Sequence, residues 1–269
     1  MANLEQASLE QARGPAPRPP PIPRADEIAL FADIDGTLID FAATPETVEI
    51  DATLPGLLRG LHAVLDGALA ILSGRSLAQI DTLLHLPWLP VAAQHGAELR
   101  SADGRITREV DDPAQLDPAR AALTDLLAQC PDLRLEDKGI ALALHYRAAP
   151  QAFKTARQFA DVALACVGPG FELLHGDCVI ELKSARVDKG RTLAALMTQV
   201  PFIGRKPWML GDDFTDEYAF AMAQSLGGVG VIVGPRQPSV ARYALATVAD
   251  TRAWLLRLTR HAARLRSTG

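Results

Sequence analysis

Cysteine is sparse in this chain of 269 residues: Cys130, Cys166 and Cys178 are odd in number and follow no recognisable pairing pattern. That argues against a disulfide framework and leaves ordinary thiols of a reducing compartment as the plain reading. Long apolar runs are absent, so no segment is expected to span a bilayer. The N-terminus lacks the apolar core of a signal peptide, and a cytoplasmic protein is the expectation. Clusters of basic residues are missing too, and the formal net charge is -5, which argues against nucleic acid as a partner. No internal repeat is present. Low complexity is confined to residues 11–24, whose prolines forbid helix and sheet interior. Residues 1–25 are therefore read as a disordered, solvated tail, with a ligand for an aromatic-lined groove as the rival reading.

Apolar residues make up 48% of the chain, enough to bury the core of one large or two moderate domains. From Asp26 strands and helices alternate. Ile28 to Phe31, Ala68 to Leu72 and Val91 to Ala93 read as buried strands. Leu54, Leu57, Leu58, Leu61, Val64 and Leu65 recur at helical spacing, as do Leu77, Ile80 and Leu84. This predicts an α/β core with a doubly wound parallel sheet. The pattern then changes to helix (118–129), hairpin through Lys138-Gly139, helix (151–165) and hairpin around His175-Gly176-Asp177. A small α+β domain inserted over 106–183 follows, with the core at 26–105 and 184–269. Alternation resumes with a helix from Lys189 to Met197, a strand from Trp208 to Leu210, a helix from Thr215 to Ala223, a strand from Gly230 to Val233 and a helix from Thr251 to Leu258.

Residues suited to phosphoryl transfer stand at the ends of these strands or the starts of these helices. Asp33 and Asp35 follow the first strand in Asp33-Ile34-Asp35-Gly36-Thr37-Leu38. In an open α/β sheet, ligands bind beyond the carboxyl ends of the strands. Two carboxylates there call for a hard cation such as Mg²⁺, which commonly bridges to phosphate. Asp33 can act as nucleophile and Asp35 as general acid and base. Ser73 ends the second strand with a hydroxyl for a phosphate oxygen. Lys189 begins a helix, where the dipole and the ammonium both favour an anion. Asp212 can complete the Mg²⁺ site, and Asp216 is placed to orient ligands from behind it. Singly, each motif has a plainer explanation as a turn, a helix cap or a solvated charge. Asp213 and Glu217 in particular read as well as caps of the next helix. The ordered joint occurrence favours chemistry.

With Ser73-Gly74-Arg75, Lys189 and Gly211-Asp212-Asp213-Phe214-Thr215-Asp216-Glu217, these segments resemble the four motifs of the haloacid dehalogenase superfamily of phosphatases. The insertion resembles its α/β cap. More narrowly, Gln94-His95-Gly96-Ala97-Glu98, the segment from Glu136 to Arg147, Val179 to Lys183, and Pro201 to Arg205 look like trehalose-6-phosphate phosphatases, over about 27–258. The resemblance implies a Rossmann-like core with a cap and a Mg²⁺-dependent phosphatase acting on trehalose 6-phosphate. It implies Asp33 as nucleophile and Asp35 as acid/base. Asp33, Asp35 (through its carbonyl) and Asp212 would be metal ligands; Ser73, Gly74 and Lys189 would bind phosphate. Glu136, Lys138, Glu181, Lys183 and His95 would contact sugar, with Asp213 and Asp216 behind the metal. The plain readings of these cap residues are a solvated cluster (Glu136, Lys138), an exposed ion pair (Glu181, Lys183) and a structural histidine (His95). The chain departs from the family in having Ser184 where proline often follows the last cap lysine. It also implies a monomer with a functional link to a trehalose-phosphate synthase. Two rivals remain open: a sucrose-phosphate or mannosyl-phosphate type phosphatase of the same superfamily, and a non-catalytic sugar-phosphate-binding module.

Overall fold

A computed structural model describes residues 18–40, 53–109, 112–176 and 178–267. The larger sheet starts with β1 (Ile28–Ala32), an unbroken run of buried apolar side chains. Both faces of such a strand must be covered, which is why its sequence does not alternate. On one side of β1 lie β2 (Leu69–Leu72) and β3 (Val91–Ala93), all parallel, then β4 (Glu98–Arg100) and β5 (Ile106–Arg108), which are antiparallel. On the other side lie β10 (Lys206–Gly211), β11 (Val229–Val233) and β12 (Tyr243–Leu245), all parallel. The chain thus winds outward from β1 in both directions, and the switch between β1 and β10 opens a crevice at the strands' carboxyl ends.

Helix α1 (Thr53–Val64) turns Leu54, Leu57, Leu58, Leu61 and Val64 inward, as the spacing predicts. Helix α2 (Leu77–Leu84) begins in a capping box of Ser76 and Gln79. The second layer comprises α3 (Asp117–Leu127), β6 (Arg134–Asp137), β7 (Leu142–His145), α4 (Phe153–Val167), β8 (Phe171–Gly176) and β9 (Val179–Ser184). Its antiparallel sheet runs β6-β7-β9-β8 and shares an apolar core of its own with α3 and α4, including Leu123, Leu144, Ala160 and Leu182. The chain returns through α5 (Lys189–Met197) and α6 (Asp216–Ser225), which pack on each other, and ends in α7 (Val248–Ser267), which packs on α1. No helix among the described residues is long and apolar enough to cross a membrane.

Three expectations need correction. Residues 106–108 belong to the larger sheet, not to the insertion: the chain doubles back after Ser101, whose N–H donates to Arg105 O at 2.9 Å, and β5 pairs with β4. Residues 18–25 are not a free tail. The indole N–H of Trp254, a fully buried residue, donates to Pro20 O and Pro21 O at 3.2 Å each. Arg18 pairs with Tyr243 on the edge strand β12, and Ile22 packs on the core. Proline-rich backbone has its carbonyls free, and a buried indole needs an acceptor. The earlier part of the tail, 1–17, and Asp177 of the second hairpin lie outside the described residues. The last helix also runs well beyond its expected bounds of Thr251 to Leu258, by three residues at its start and nine at its end, from Val248 to Ser267.

Candidate active site

A cleft of about 310 Å³ lies between the carboxyl ends of the core strands and the sheet of the second layer. Asp33, just beyond β1, is 6% exposed, and its backbone N–H is held by Leu210 O on β10. Lys189, at the first position of α5, reaches Asp33 Oδ2 at 3.0 Å and Asp216 Oδ1 at 2.7 Å. The cap of α5 is the Asp188 carboxylate, which accepts from Arg191 N at 2.8 Å, so the helix start is fixed independently of the lysine. Beyond β10, the N–H groups of Asp212 and Asp213 donate to Asp216 Oδ2 at 2.9 and 3.0 Å. Asp212 Oδ1 accepts from Thr37 Oγ1 at 2.9 Å. Arg236, from the loop after β11, donates to Asp212 O and to Asp213 Oδ1.

This packing sets the electrostatics. Burial pushes the Asp33 carboxyl well above its usual range; Asp216, Asp212 and Asp35 add to that, and Lys189 opposes it. Burial, then Asp216, pushes Asp212 up to about 7. Burial would lower Lys189, but Asp216 and Asp33 hold it firmly protonated. Asp33, Asp212 and Asp216 offer carboxylate oxygens that all lie within 4.8 Å of one another. Such crowding of like charge is costly without a cation.

After β2, Ser73 Oγ accepts from Arg75 N at 3.2 Å, and the guanidinium of Arg75 clasps Asp35 with Nε to Oδ2 at 2.7 Å and Nη2 to Oδ1 at 2.6 Å. Gln94 and His95 both take left-handed backbone angles, with φ of 48° and 60°. Gln94 N donates to Arg75 O, and His95 N to Ser73 O, so this turn carries the Ser73–Arg75 loop. A side chain at Gly74 would collide with His95 Nε2 at 2.8 Å, which is why glycine stands there.

From the second layer, Lys138 Nζ donates to Glu181 Oε2 and to Gly74 O, both at 2.8 Å. Glu136 accepts from Gln79 Nε2 across the cleft and pairs with His145 Nε2, both at 2.8 Å. Burial would raise Glu136, but His145, Lys138 and Gln79 bring it down to about 2. Glu181 likewise lies well below its usual range because Lys138 and His95 outweigh burial. His95 is lowered by burial. Its Nδ1, and Glu181 Oε1, are buried without a partner among the described residues.

Asp33, Asp35, Ser73, Gly74, His95, Glu136, Lys138, Glu181, Lys189, Asp212 and Asp213 thus meet in one cleft, with Asp216 behind them. Lys183 does not join them. It is 1% exposed and its Nζ is taken by Glu172 Oε1 at 2.7 Å, Ser184 O at 3.1 Å and Val187 O at 2.6 Å. Glu172 is its direct cross-strand neighbour, and the chain leaves the sheet at this end, so the ammonium is drawn to the connection. Arg134, His145 and Arg147 also line the cleft and were not anticipated. Strand alternation marks the first two. Leu135, Leu144 and Ile180 are paired neighbours facing the second layer's own core, so Arg134, Glu136, His145 and Glu181 occupy the opposite face.

The sequence profile of the trehalose-phosphatase family matches residues 31–249. A probable trehalose-phosphate phosphatase of Sinorhizobium fredii is 41% identical over 214 residues, 80% of each chain. The trehalose-6-phosphate phosphatase of Escherichia coli is 40% identical over 232 residues, 86% of each chain. A solved trehalose-6-phosphate phosphatase related protein superposes with a TM-score of 0.70 at 25% identity, covering 88% of this chain and 99% of its own. The matched span contains every core residue placed above, from Asp33 to Asp216, and the whole second layer. The chain belongs to the trehalose-phosphatase family.

Proposed function

We propose that the chain hydrolyses trehalose 6-phosphate to trehalose and phosphate, with Asp33 as nucleophile. The observation that carries this reading is the junction itself. A buried carboxylate and ammonium pair for phosphorus stands in the same cleft as a ring of charged hydrogen-bonding groups suited to a sugar. Asp33 forms a bond to phosphorus as the bond from phosphorus to the sugar oxygen breaks, and Asp35 gives that oxygen a proton. Water then attacks phosphorus, its proton passes to Asp35, and Asp33 leaves as a carboxylate. Lys189 and Ser73 hold phosphate oxygens: Ser73 Oγ accepts from Arg75 N and keeps its own proton to donate.

The donor set fits Mg²⁺, since the cluster offers hard oxygens and excess negative charge. Both Asp216 oxygens are already bonded, to Lys189 and to backbone N–H groups, so Asp33, Asp212 and the Asp35 carbonyl would hold the ion. When bound it offsets the repulsion between the Asp33 carboxylate and an incoming phosphate.

Glu136, Lys138, His95 and Glu181 contact sugar hydroxyls, and the unpartnered Glu181 Oε1 is free to accept from one. The second layer, from about 109 to 184, acts as a cap that opens for substrate and closes over it. A non-catalytic module is disfavoured, because binding alone does not need a nucleophile beside an acid. The reading extends to a cytoplasmic monomer that takes its substrate from a trehalose-phosphate synthase. Phosphate release over a panel of sugar phosphates tests it. Preference for trehalose 6-phosphate by about a hundredfold over sucrose and mannosyl phosphates is the expected outcome, a gap of about 2.7 kcal/mol. Equal rates across the panel would sink the trehalose assignment.

A further inference from the structure

Arg75 is buried to 9% exposure inside the site, and the steps above give it no task. Its guanidinium bonds both oxygens of Asp35 in a fork. A guanidinium can only donate, so this fork suits an Asp35 that is about to accept a proton, not one about to give it away. The fork is rigidly mounted. Arg75 N is tied to Ser73 Oγ, and Arg75 O to Gln94 N. The supporting residues Gln94 and His95 both hold left-handed backbone angles, an arrangement costly for residues other than glycine and kept only where surroundings enforce it. His95 also fills the space over Gly74, so the loop cannot shift toward it.

We propose that Arg75 is the positioning residue for the second half of the reaction: it aims the Asp35 carboxylate at the water that attacks the phosphorylated Asp33. This rests on the two-step reading given above. In that step the water oxygen bonds to phosphorus, the bond from phosphorus to Asp33 breaks, and the water proton goes to Asp35. Arg75 gains and loses nothing. In the first step Asp35 must turn its proton toward the leaving oxygen, and the fork does not assist.

The test separates the half-reactions with 4-nitrophenyl phosphate, whose good leaving group needs little protonation. Rapid acid quench measures formation and decay of the phosphoenzyme in wild type, Arg75→Ala and Arg75→Lys; the lysine keeps the charge, loses the fork and guards against a folding failure of the alanine variant. The expected result is decay slowed by about tenfold or more, out of the roughly 10²–10⁴-fold that acid and base catalysis supplies. Formation stays within about threefold, kcat and KM fall together, and a burst of nitrophenol equal to the enzyme appears. Slowing of formation and decay in parallel, or a rise in KM at unchanged decay, overturns the proposal for Arg75 alone. Turnover with no acid-stable phosphoenzyme in any variant, while Asp33→Asn keeps its activity, overturns the two-step reading and the proposal with it.

Discussion

Replacing Lys138 by methionine tests the division of labour between core and cap. The lysine Nζ holds Glu181 Oε2 and Gly74 O at 2.8 Å, and the two charged side chains are only 9% and 6% exposed. Solvent cannot take over when the ammonium is removed. A buried ion that loses its partner typically costs about 3–5 kcal/mol. Taking about 3 kcal/mol, and about 2–4 °C per kcal/mol for a domain of this size, the melting temperature should fall by about 6–12 °C. Glu181 would then take up a proton more readily, because Lys138 is the foremost of the groups that hold it down against burial. A protonated or misplaced Glu181 is a poorer acceptor for a sugar hydroxyl. Each buried polar group left unpaired is worth about 1–3 kcal/mol, so kcat/KM for trehalose 6-phosphate should drop by roughly ten- to a hundredfold.

Hydrolysis of 4-nitrophenyl phosphate is the control. That substrate is too small to reach the cap, and the loop carrying Gly74 keeps its ties to Gln94 and His95. Its kcat/KM should stay within about threefold of wild type. The cause can be isolated further by adding Glu181→Gln. If an uncompensated buried charge is what destabilises Lys138→Met, removing that charge restores a large part of the melting temperature without restoring sugar specificity, a coupling of about 0.5–3 kcal/mol. Strictly additive losses in stability, or a parallel fall of both substrates, would refute the reasoning.

Other expectations follow from the core. Asp33→Asn should lower turnover by about three orders of magnitude or more with the fold retained, measured as kcat beside a thermal melt. Metal-free protein should gain more melting temperature from Mg²⁺ at about pH 8 than at about pH 5. Burial, then Asp216, raises Asp212 to about 7, so in the folded state it keeps its proton through the acidic range. It becomes a crowded carboxylate only as pH rises through that value, and stability without metal falls as pH rises from 3.8 to about 7. A shift independent of pH would contradict this. Glu136 has the opposite sign. Its folded value is depressed from 4.5 to about 2, so its stabilisation is complete above 4.5 and is lost as pH falls toward 2. The urea midpoint of Glu136→Gln should therefore lie below wild type at about pH 7, lie closer to it at about pH 3.5 and approach it only near pH 2; a gap that stays unchanged as the pH falls would speak against the pairing with His145 and Gln79.

The parts of the fold legible in the sequence were those set by strong local patterns. β1 and β2 are unbroken apolar runs, and Leu77, Ile80 and Leu84 mark α2 by their helical spacing. β4, β5 and β12 escaped notice because none is a fully buried apolar run like the equally short β3; each is formed through pairing with a neighbour rather than through its own composition. Edge position also explains the tail. Nothing in Pro20 or Pro21 foretells that a buried indole will need their carbonyls. In the site, residues at strand ends and helix starts could be placed because chain geometry fixes where they point: Asp33, Ser73, Lys189 and Asp212. Arg75 and Lys183 could not, because long cations go where acceptors are, and those acceptors, Asp35 for one and Val187 O for the other, come from elsewhere in the fold.

Charge balance explains why the two halves of the cleft need different things. In the core, Arg75 answers Asp35, Arg236 answers Asp213, and Lys189 answers Asp216 while leaning on Asp33. At Asp212, burial and the neighbouring Asp216 outweigh the pull of Lys189 and the Thr37 hydroxyl, so the raised carboxyls of Asp33 and Asp212 mark a site short of positive charge. On the proposed function, a divalent cation would make up that deficit and ease the entry of a phosphate dianion. In the cap, Glu136 and Glu181 are already matched by His145 and Lys138 and are depressed, not raised. Those carboxylates are ready-made acceptors that want hydroxyl donors and no further charge. A neutral polyol attached to a phosphate satisfies both halves at once. A ligand charged at the sugar end would disturb the cap pairs, and a neutral sugar without phosphate would leave Lys189 and its neighbours with nothing to hold.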